Sequence, residues 1–215
     1  MRDVRDAPTA GEVGWKTVPE VSEEREVPEV TVAPLVASDE DEFIAAVRAS
    51  KSLHHPWIDL ADTHERFAPV LERFRRDDQE AYVVRHACGG LAGYVSVGNI
   101  VRGFSQSASL GYGAFAGHEG RGLMTLGLAA VIDIAFRELH LHRLEANIQP
   151  SNTRSSALVQ RLGFEKEGFS PRYLMVDGAW RDHDRWALRN AAMEVRGSPH
   201  PQCVEAPMTG GFDAL

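Results

Sequence analysis

The stretch Gly117-His118-Glu119-Gly120-Arg121-Gly122-Leu123-Met124-Thr125 joins a predicted strand over 107–115 to an apolar segment over 123–139, and its reading decides the fold. Glycines let backbone N–H groups face a ligand with no Cβ in the way, and the free amides at a helix N-terminus act as roughly half a positive charge. A strand, a G-x-G turn and a helix in succession therefore make an anion site. The plainer reading is a tight strand-to-helix turn. Two other glycine loops do not fit. Gly111-Tyr112-Gly113-Ala114-Phe115-Ala116 matches G-x-G-x-x-A formally, but no helix opens after its second glycine, as a dinucleotide site requires. A nucleoside-triphosphate loop would need Lys and Ser or Thr after its last glycine, whereas Leu123 follows Gly122.

Outward from this junction the pattern alternates between strand and helix. Upstream, residues 30–36 read as a strand, Ser38 as a cap for a helix to about 50, and 62–76 as an amphipathic helix with Phe67, Val70, Leu71 and Phe74 on one face. Strands follow at 81–86 and 91–100, the Gly89-Gly90 pair making their connection a hairpin. The 123–139 segment is apolar almost all round and reads as a helix buried against a sheet. Downstream come a strand over 143–148, a helix over 152–162 and a hairpin over 164–188 that turns at Asp177-Gly178. The class is α/β in the α+β sense, a mixed sheet with helices on its faces.

The chain has 215 residues, 43% hydrophobic and 25% charged, enough for one domain with appendages. Its net charge of -8 is local: positions 1–42 hold 12 acidic and 4 basic residues, while acids and bases balance over the rest. A neutral body lacks the basic face that direct nucleic-acid binding requires. Residues 1–28 read as an acidic disordered tail, 29–190 as the folded domain and 191–215 as a flexible C-terminal tail rich in Gly and Pro. With no apolar run of the ~20 residues a membrane span needs, and no apolar stretch behind the N-terminus, the expectation is a cytoplasmic protein without a membrane partner. Cys88 and Cys203 have no metal-ligand spacing, and His54, His55, His140 and His142, without a carboxylate or cysteine cluster, read as turn or surface residues, so no metal is expected.

Four stretches carry a resemblance: Gly120-Arg121-Gly122-Leu123-Met124-Thr125; His142-Arg143-Leu144-Glu145-Ala146-Asn147; Asn152 with Ser155 and the run Leu162-Gly163-Phe164-Glu165-Lys166-Glu167-Gly168; and Tyr173-Leu174-Met175-Val176-Asp177-Gly178-Ala179-Trp180-Arg181-Asp182-His183. In this order, over roughly 57–188, the chain resembles the GNAT superfamily of acetyl-CoA-dependent N-acetyltransferases, in its RimJ-like branch of ribosomal-protein-alanine acetyltransferases. The resemblance implies a mostly antiparallel central sheet with helices on both faces and a splay between strands 4 and 5. It implies acetyl-CoA as donor, bound by Phe115, Ala116, the loop and first helical turn from Glu119 through Thr125, and Asn152 with Ser155. The acceptor would meet Trp57, Tyr112, Asp177 and Trp180. The implied acceptor is the N-terminal alanine of a ribosomal protein; a small-molecule or drug amine is the alternative, and a non-catalytic acyl-CoA-binding module a further one. The protein would act as a monomer or homodimer. The family usually has Gln or Arg three positions before the first glycine of the motif; here that position is Gly117, which keeps the backbone site but removes one side-chain contact.

Acetyl transfer to an amine needs a neutral amine, hydrogen-bond donors for the carbonyl oxygen and a proton for the departing thiolate. Deprotonating an α-amino group of pKa ~7.7 to 8.0 at pH 7 costs about 1 to 1.4 kcal/mol, against about 4.6 for a lysine at ~10.4. A weak base therefore suffices for an N-terminal acceptor. The family's fold would supply the carbonyl contact from backbone N–H near 114–116. Glu145 is the candidate base, since alternation puts Arg143, Glu145 and Asn147 on one strand face; the competing reading pairs Glu145 structurally with an arginine. Ser155 is a candidate acid for the sulfur, with Asn152 read as either a helix cap or a cofactor contact. Tyr173 is an alternative acid or a positioning group, or else a packing residue of its strand.

Overall fold

The computed structural model describes residues 30–193. The tails expected at 1–28 and 191–215 fall outside it, except that Ala191–Met193 form a short 3-10 turn. Seven strands form one sheet in the order β1-β2-β3-β4-β5-β7-β6. They are β1 (Val30–Pro34), β2 (Gln79–His86), β3 (Leu91–Val101), β4 (Ser107–Ala114), β5 (Arg143–Ile148), β6 (Glu165–Val176) and β7 (Ala179–Arg189). Every neighbouring pair is antiparallel except β4 and β5, which run parallel. A parallel pair needs a crossover, and the long buried helix α4 (Leu123–Arg137) supplies it.

Alternation along the strands sends apolar side chains to both faces. On one face Val84, Val95, Val97, Leu110, Leu144 and Ala146 pack against Leu123, Leu128 and Val131 of α4 and against Leu158 and Val159 of α5 (Thr153–Arg161). On the other, Val83, Tyr94 and Phe115 meet Phe43, Ile44 and Val47 of α1 (Glu40–Ala49) and Phe67 of α3 (His64–Arg73), beside the short α2 (Lys51–His54). The expected sheet with helices on both faces is the architecture found. The hairpin turn also falls at Asp177-Gly178, both residues having positive φ (51° and 69°), as a two-residue Asp-Gly turn requires.

Ser38 does not cap the first helix. It lies inside a 3-10 turn, Ala37–Asp39, that leads into α1, and the carboxylate beside it ties this corner together. Asp39 accepts from the Val36 N–H at 2.9 Å and from Arg85 at 2.7 Å, so it joins the turn to β2. The segment read as one helix to about 50 breaks at Ser50, whose hydroxyl donates to the Ala46 carbonyl at 2.6 Å, and α2 then brings His54 under the sheet.

Leu128 is fully buried between α4 and the sheet. Leu128→Ala is expected to lower the unfolding free energy by ~2–5 kcal/mol in urea denaturation. Ala129→Ser, on the exposed side of the same helix, should stay within about 0.5 kcal/mol.

Candidate active site

Pairing between β4 and β5 ends at Leu110↔Ala146, although β4 continues to Ala114 and β5 to Ile148. The strands part there, and the gap opens into a cleft of about 1030 Å3. Phe115 N–H donates to Ala92 O of β3 at 2.9 Å. Alternation along the strand then turns the amides of Tyr112 and Ala114 the other way, to the side that β5 has left. These are backbone donors in need of a partner. The Ala114 carbonyl on the same side accepts from His54 Nε2–H at 2.8 Å.

The glycine loop closes one end of this cleft. Gly120 and Gly122 have φ of 75° and 81°, a left-handed backbone that glycine adopts without strain. Gly122 is the N-cap of α4, and its carbonyl takes the Thr125 and Leu126 N–H groups, which leaves the amides of Leu123 and Met124 without intrahelical partners. The Glu119 carboxyl lies against backbone N–H groups of the loop. It is held below its ordinary range first by its own backbone N–H and, against some desolvation, by those of Gly117 and His118, with the charge of Arg154 adding to the effect. The free amides at the loop and between the parted strands are hydrogen-bond donors suited to an anion and to carbonyl oxygens.

At the other wall, Asn152 caps α5: its Oδ1 accepts from the Ser155 N–H at 3.2 Å, and both residues line the cleft. The Ser155 Oγ lies 2.6 Å from the Tyr112 hydroxyl, whose pKa is pushed up to about 12 by burial against the opposing hydrogen bond to Ser155. Tyr112 therefore keeps its proton at neutral pH and can donate to Ser155, leaving the serine hydroxyl hydrogen free to point into the cleft.

Of the residues singled out from sequence, Trp57, Tyr112, Glu119, Gly120, Gly122, Leu123, Met124, Thr125, Asn152 and Ser155 line this cleft. Others lie elsewhere. Phe115 spends its amide on Ala92 and its ring on the core against Phe43, and Ala116 donates its N–H to Ser50 Oγ at 2.9 Å. Arg121 is exposed at the outer side of the loop. Glu145 sits where β4 and β5 are still paired, and its oxygens accept from Arg143 and Arg185, each at 2.9 Å. Burial pushes its carboxyl up, but the two guanidinium groups outweigh burial and hold it below the usual range. The geometry is that of a structural ion pair. Tyr173 is more than a third exposed, behind the cleft wall, with its ring against His183 and under the Arg185 guanidinium. Asp177 lines a smaller neighbouring cavity of about 490 Å3 and bonds His55 at 3.1 Å, and Trp180 is 58% exposed on the hairpin.

The reading of the sequence missed four contributors to the cleft. His54 and His183 are both buried, and Asn147 and Arg154 line the same space. The alternation that placed Asn147 beside Glu145 was the available signal for Asn147, and the helical turn after Asn152 was the one for Arg154. His54 was read as a turn residue because the helical step that buries it is only four residues long. Among the described residues no helix is long and apolar enough to cross a membrane, and no group of three His, Cys, Asp or Glu could hold a metal.

Residues 29–165 match the model of the acetyltransferase (GNAT) domain, and the chain belongs to that family. It is an N-acetyltransferase by class, and its splayed seven-stranded sheet is the GNAT fold. Among its relatives is a Bacillus subtilis (strain 168) protein described as a probable N-acetyltransferase, YjcK, 36% identical over 127 residues, which are 59% of this chain and 70% of that protein. The ribosomal protein uS5-alanine N-acetyltransferase of Escherichia coli (strain K12) is 45% identical over 98 residues, which are 46% of this chain and only half the length of that enzyme. The solved structure of Mycobacterium smegmatis RimJ in complex with CoA-disulfide superposes with a TM-score of 0.70 at 29% identity, covering 79% of this chain and 85% of that one. These place the chain in the RimJ-like branch.

Burial lowers the His54 pKa, its hydrogen bond to Ala114 opposing, so the ring stays neutral in the native state. A histidine that protonates more easily unfolded than folded costs stability as pH falls through its unfolded value, ~6.5. His54→Gln has no ring to protonate. In denaturation at pH 7.5 and pH 5.5, the wild type should lose stability relative to this variant on acidification; a constant difference would remove the assigned cause.

Proposed function

We propose that this enzyme transfers the acetyl group of acetyl-CoA to the N-terminal alanine of a ribosomal protein, in the cytoplasm. One observation carries the choice of acceptor. Among the described residues lining the cleft, the sole carboxylate is Glu119, at the cofactor end. The acceptor side is lined by His54, Asn147, Gln149 and His183, with no carboxylate among them. A polyamine or lysine amine, fully charged at neutral pH, calls for carboxylates to bind it, whereas an α-amino group needs only a weak base. The 45% identity to the uS5-alanine enzyme over 98 residues points the same way.

Acetyl-CoA supplies the activated acetyl group. The loop amides from Gly120 to the first turn of α4 would hold its pyrophosphate, and the Tyr112 and Ala114 amides would receive the arm and stabilise the carbonyl oxygen as charge develops. Ser155, its lone pair engaged by the protonated Tyr112, would donate to the leaving sulfur. Glu145 is assigned the ion-pair role rather than that of the base, each of its oxygens accepting from an arginine where β4 and β5 are still paired.

Intact-mass measurement after incubation with acetyl-CoA and ribosomal proteins should show one added acetyl on one N-terminus. Transfer only to amines of a small-molecule panel would instead identify a small-amine enzyme, and coenzyme A binding without transfer to any amine a binding module. Ser155→Ala should lower kcat by ~10 to 100-fold with coenzyme A affinity kept. Glu145→Gln should stay within about threefold in kcat while losing stability at neutral pH, since a depressed carboxylate pKa stabilises above its unfolded value and not below it.

A further inference from the structure

Two acceptors on the β5 and β7 walls of the cleft have no place in the reaction described so far. His183 is 3% exposed and lines the cleft, and its Nδ1 lies 2.9 Å from the Arg181 carbonyl oxygen. A carbonyl only accepts, so the neutral ring carries its proton on Nδ1 and its Nε2 is a lone-pair acceptor. The Tyr173 ring packs against the imidazole at 6.2 Å between centroids and is itself covered by the Arg185 guanidinium at 4.9 Å, which fixes the ring orientation. Asn147 faces Arg185 across the β5 and β7 pair, just past the last residue at which β5 is joined to β4. Its Oδ1 is buried without a hydrogen-bond partner, and the residue lines the same cleft. His183 is the next residue of β7 on that face beyond Arg185. A buried acceptor such as Asn147 Oδ1 is rarely left unmatched in a folded protein, and an ammonium, with three donors, can reach it and the His183 Nε2 lone pair together.

We propose that His183 Nε2 is the base for the acceptor amine and that Asn147 Oδ1 is the second acceptor orienting its nitrogen. The assignment rests on acetyl transfer to an amine, not on which amine is used. His183 removes one proton from the ammonium. The freed nitrogen lone pair bonds to the thioester carbonyl carbon as the C–S bond breaks. The second proton, released by the nitrogen as the amide forms, returns to the Ser155 oxygen that protonated the thiolate, and His183 returns its own to solvent. Beside the ring stand Tyr173 and, over it, Arg185, and His54 lines the same cleft. Arg185 is itself paired with Glu145 at 2.9 Å.

The test uses the full chain and whichever amine the wild type acetylates. His183→Ala should lower kcat by ~100 to 1000-fold with coenzyme A affinity by calorimetry unchanged, and added imidazole, entering the space left in the cleft wall, should restore at least tenfold. His183→Gln, which keeps the volume and an acceptor oxygen but takes no proton, should show the same loss; it decides the matter if the alanine variant does not fold. Asn147→Ala should raise the amine KM about tenfold more than it lowers kcat. Glutamine retaining wild-type kcat, or a folded alanine variant whose loss imidazole does not restore, would overturn the assignment while leaving the acetyltransferase standing. A wild-type chain that acetylates no amine would overturn both.

Discussion

The structure depends on one interruption, the end of pairing between β4 and β5 after Leu110 and Ala146. An antiparallel ladder can be closed by a turn of a few residues, but a parallel pair must be bridged by a crossover, here α4 with its glycine loop. The crossover therefore delivers an anion-binding helix N-terminus to the same end of the sheet where the two strands stop holding each other. The amides exposed by the parting and the orphan amides of the helix then face one cavity. Neither set is satisfied by the protein alone, and the thioester of a phosphate-bearing cofactor offers acceptors to both.

Strand alternation divides the chemistry around that gap. Tyr112 projects to the α4 and α5 face, where it meets Ser155, while Asn147 and His183 belong to the opposite face with α2. A donor for the leaving sulfur and acceptors for the incoming amine are thereby on opposite sides of the sheet, with the gap as their only meeting place. The Arg143, Glu145, Arg185 and Glu167 ion pairs sit on the acceptor face but behind the gap, where β5 is still paired on both sides. They consume the charge of Glu145.

Much of this was legible in the residues. The seven strands, the helix after the glycine loop, the Asp177-Gly178 turn and the Asn152 cap follow from local rules, because period-2 alternation, a positive-φ pair and an Asx cap are decided within a few positions. What was not legible is decided by partners distant in sequence. Glu145 alternates onto the expected face, but that two arginines would reach its two oxygens depends on β7, some 40 residues away, lying beside β5. Phe115 lies next to the gap in sequence, yet its amide goes to Ala92 because β3 continues beyond it. His54 looked like part of a surface turn, and its burial follows from Ser50 ending α1 and from the carbonyl of Ala114 waiting 60 positions downstream.

Charge placement around the gap is also why a histidine of β7, rather than a carboxylate of β5, suits this cleft. A carboxylate at the gap would carry a full charge into a partly desolvated space already occupied by the developing oxyanion, and two like charges there would raise the barrier to attack. A neutral imidazole removes a proton and becomes positive as the oxyanion becomes negative, so the charges that develop attract. The arginine-bound Glu145 sits where it can neutralise Arg185 without facing the oxyanion. Charge placement of this kind needs the strands to be paired behind the gap and parted at it, and so returns to the residue at which β4 lets go of β5.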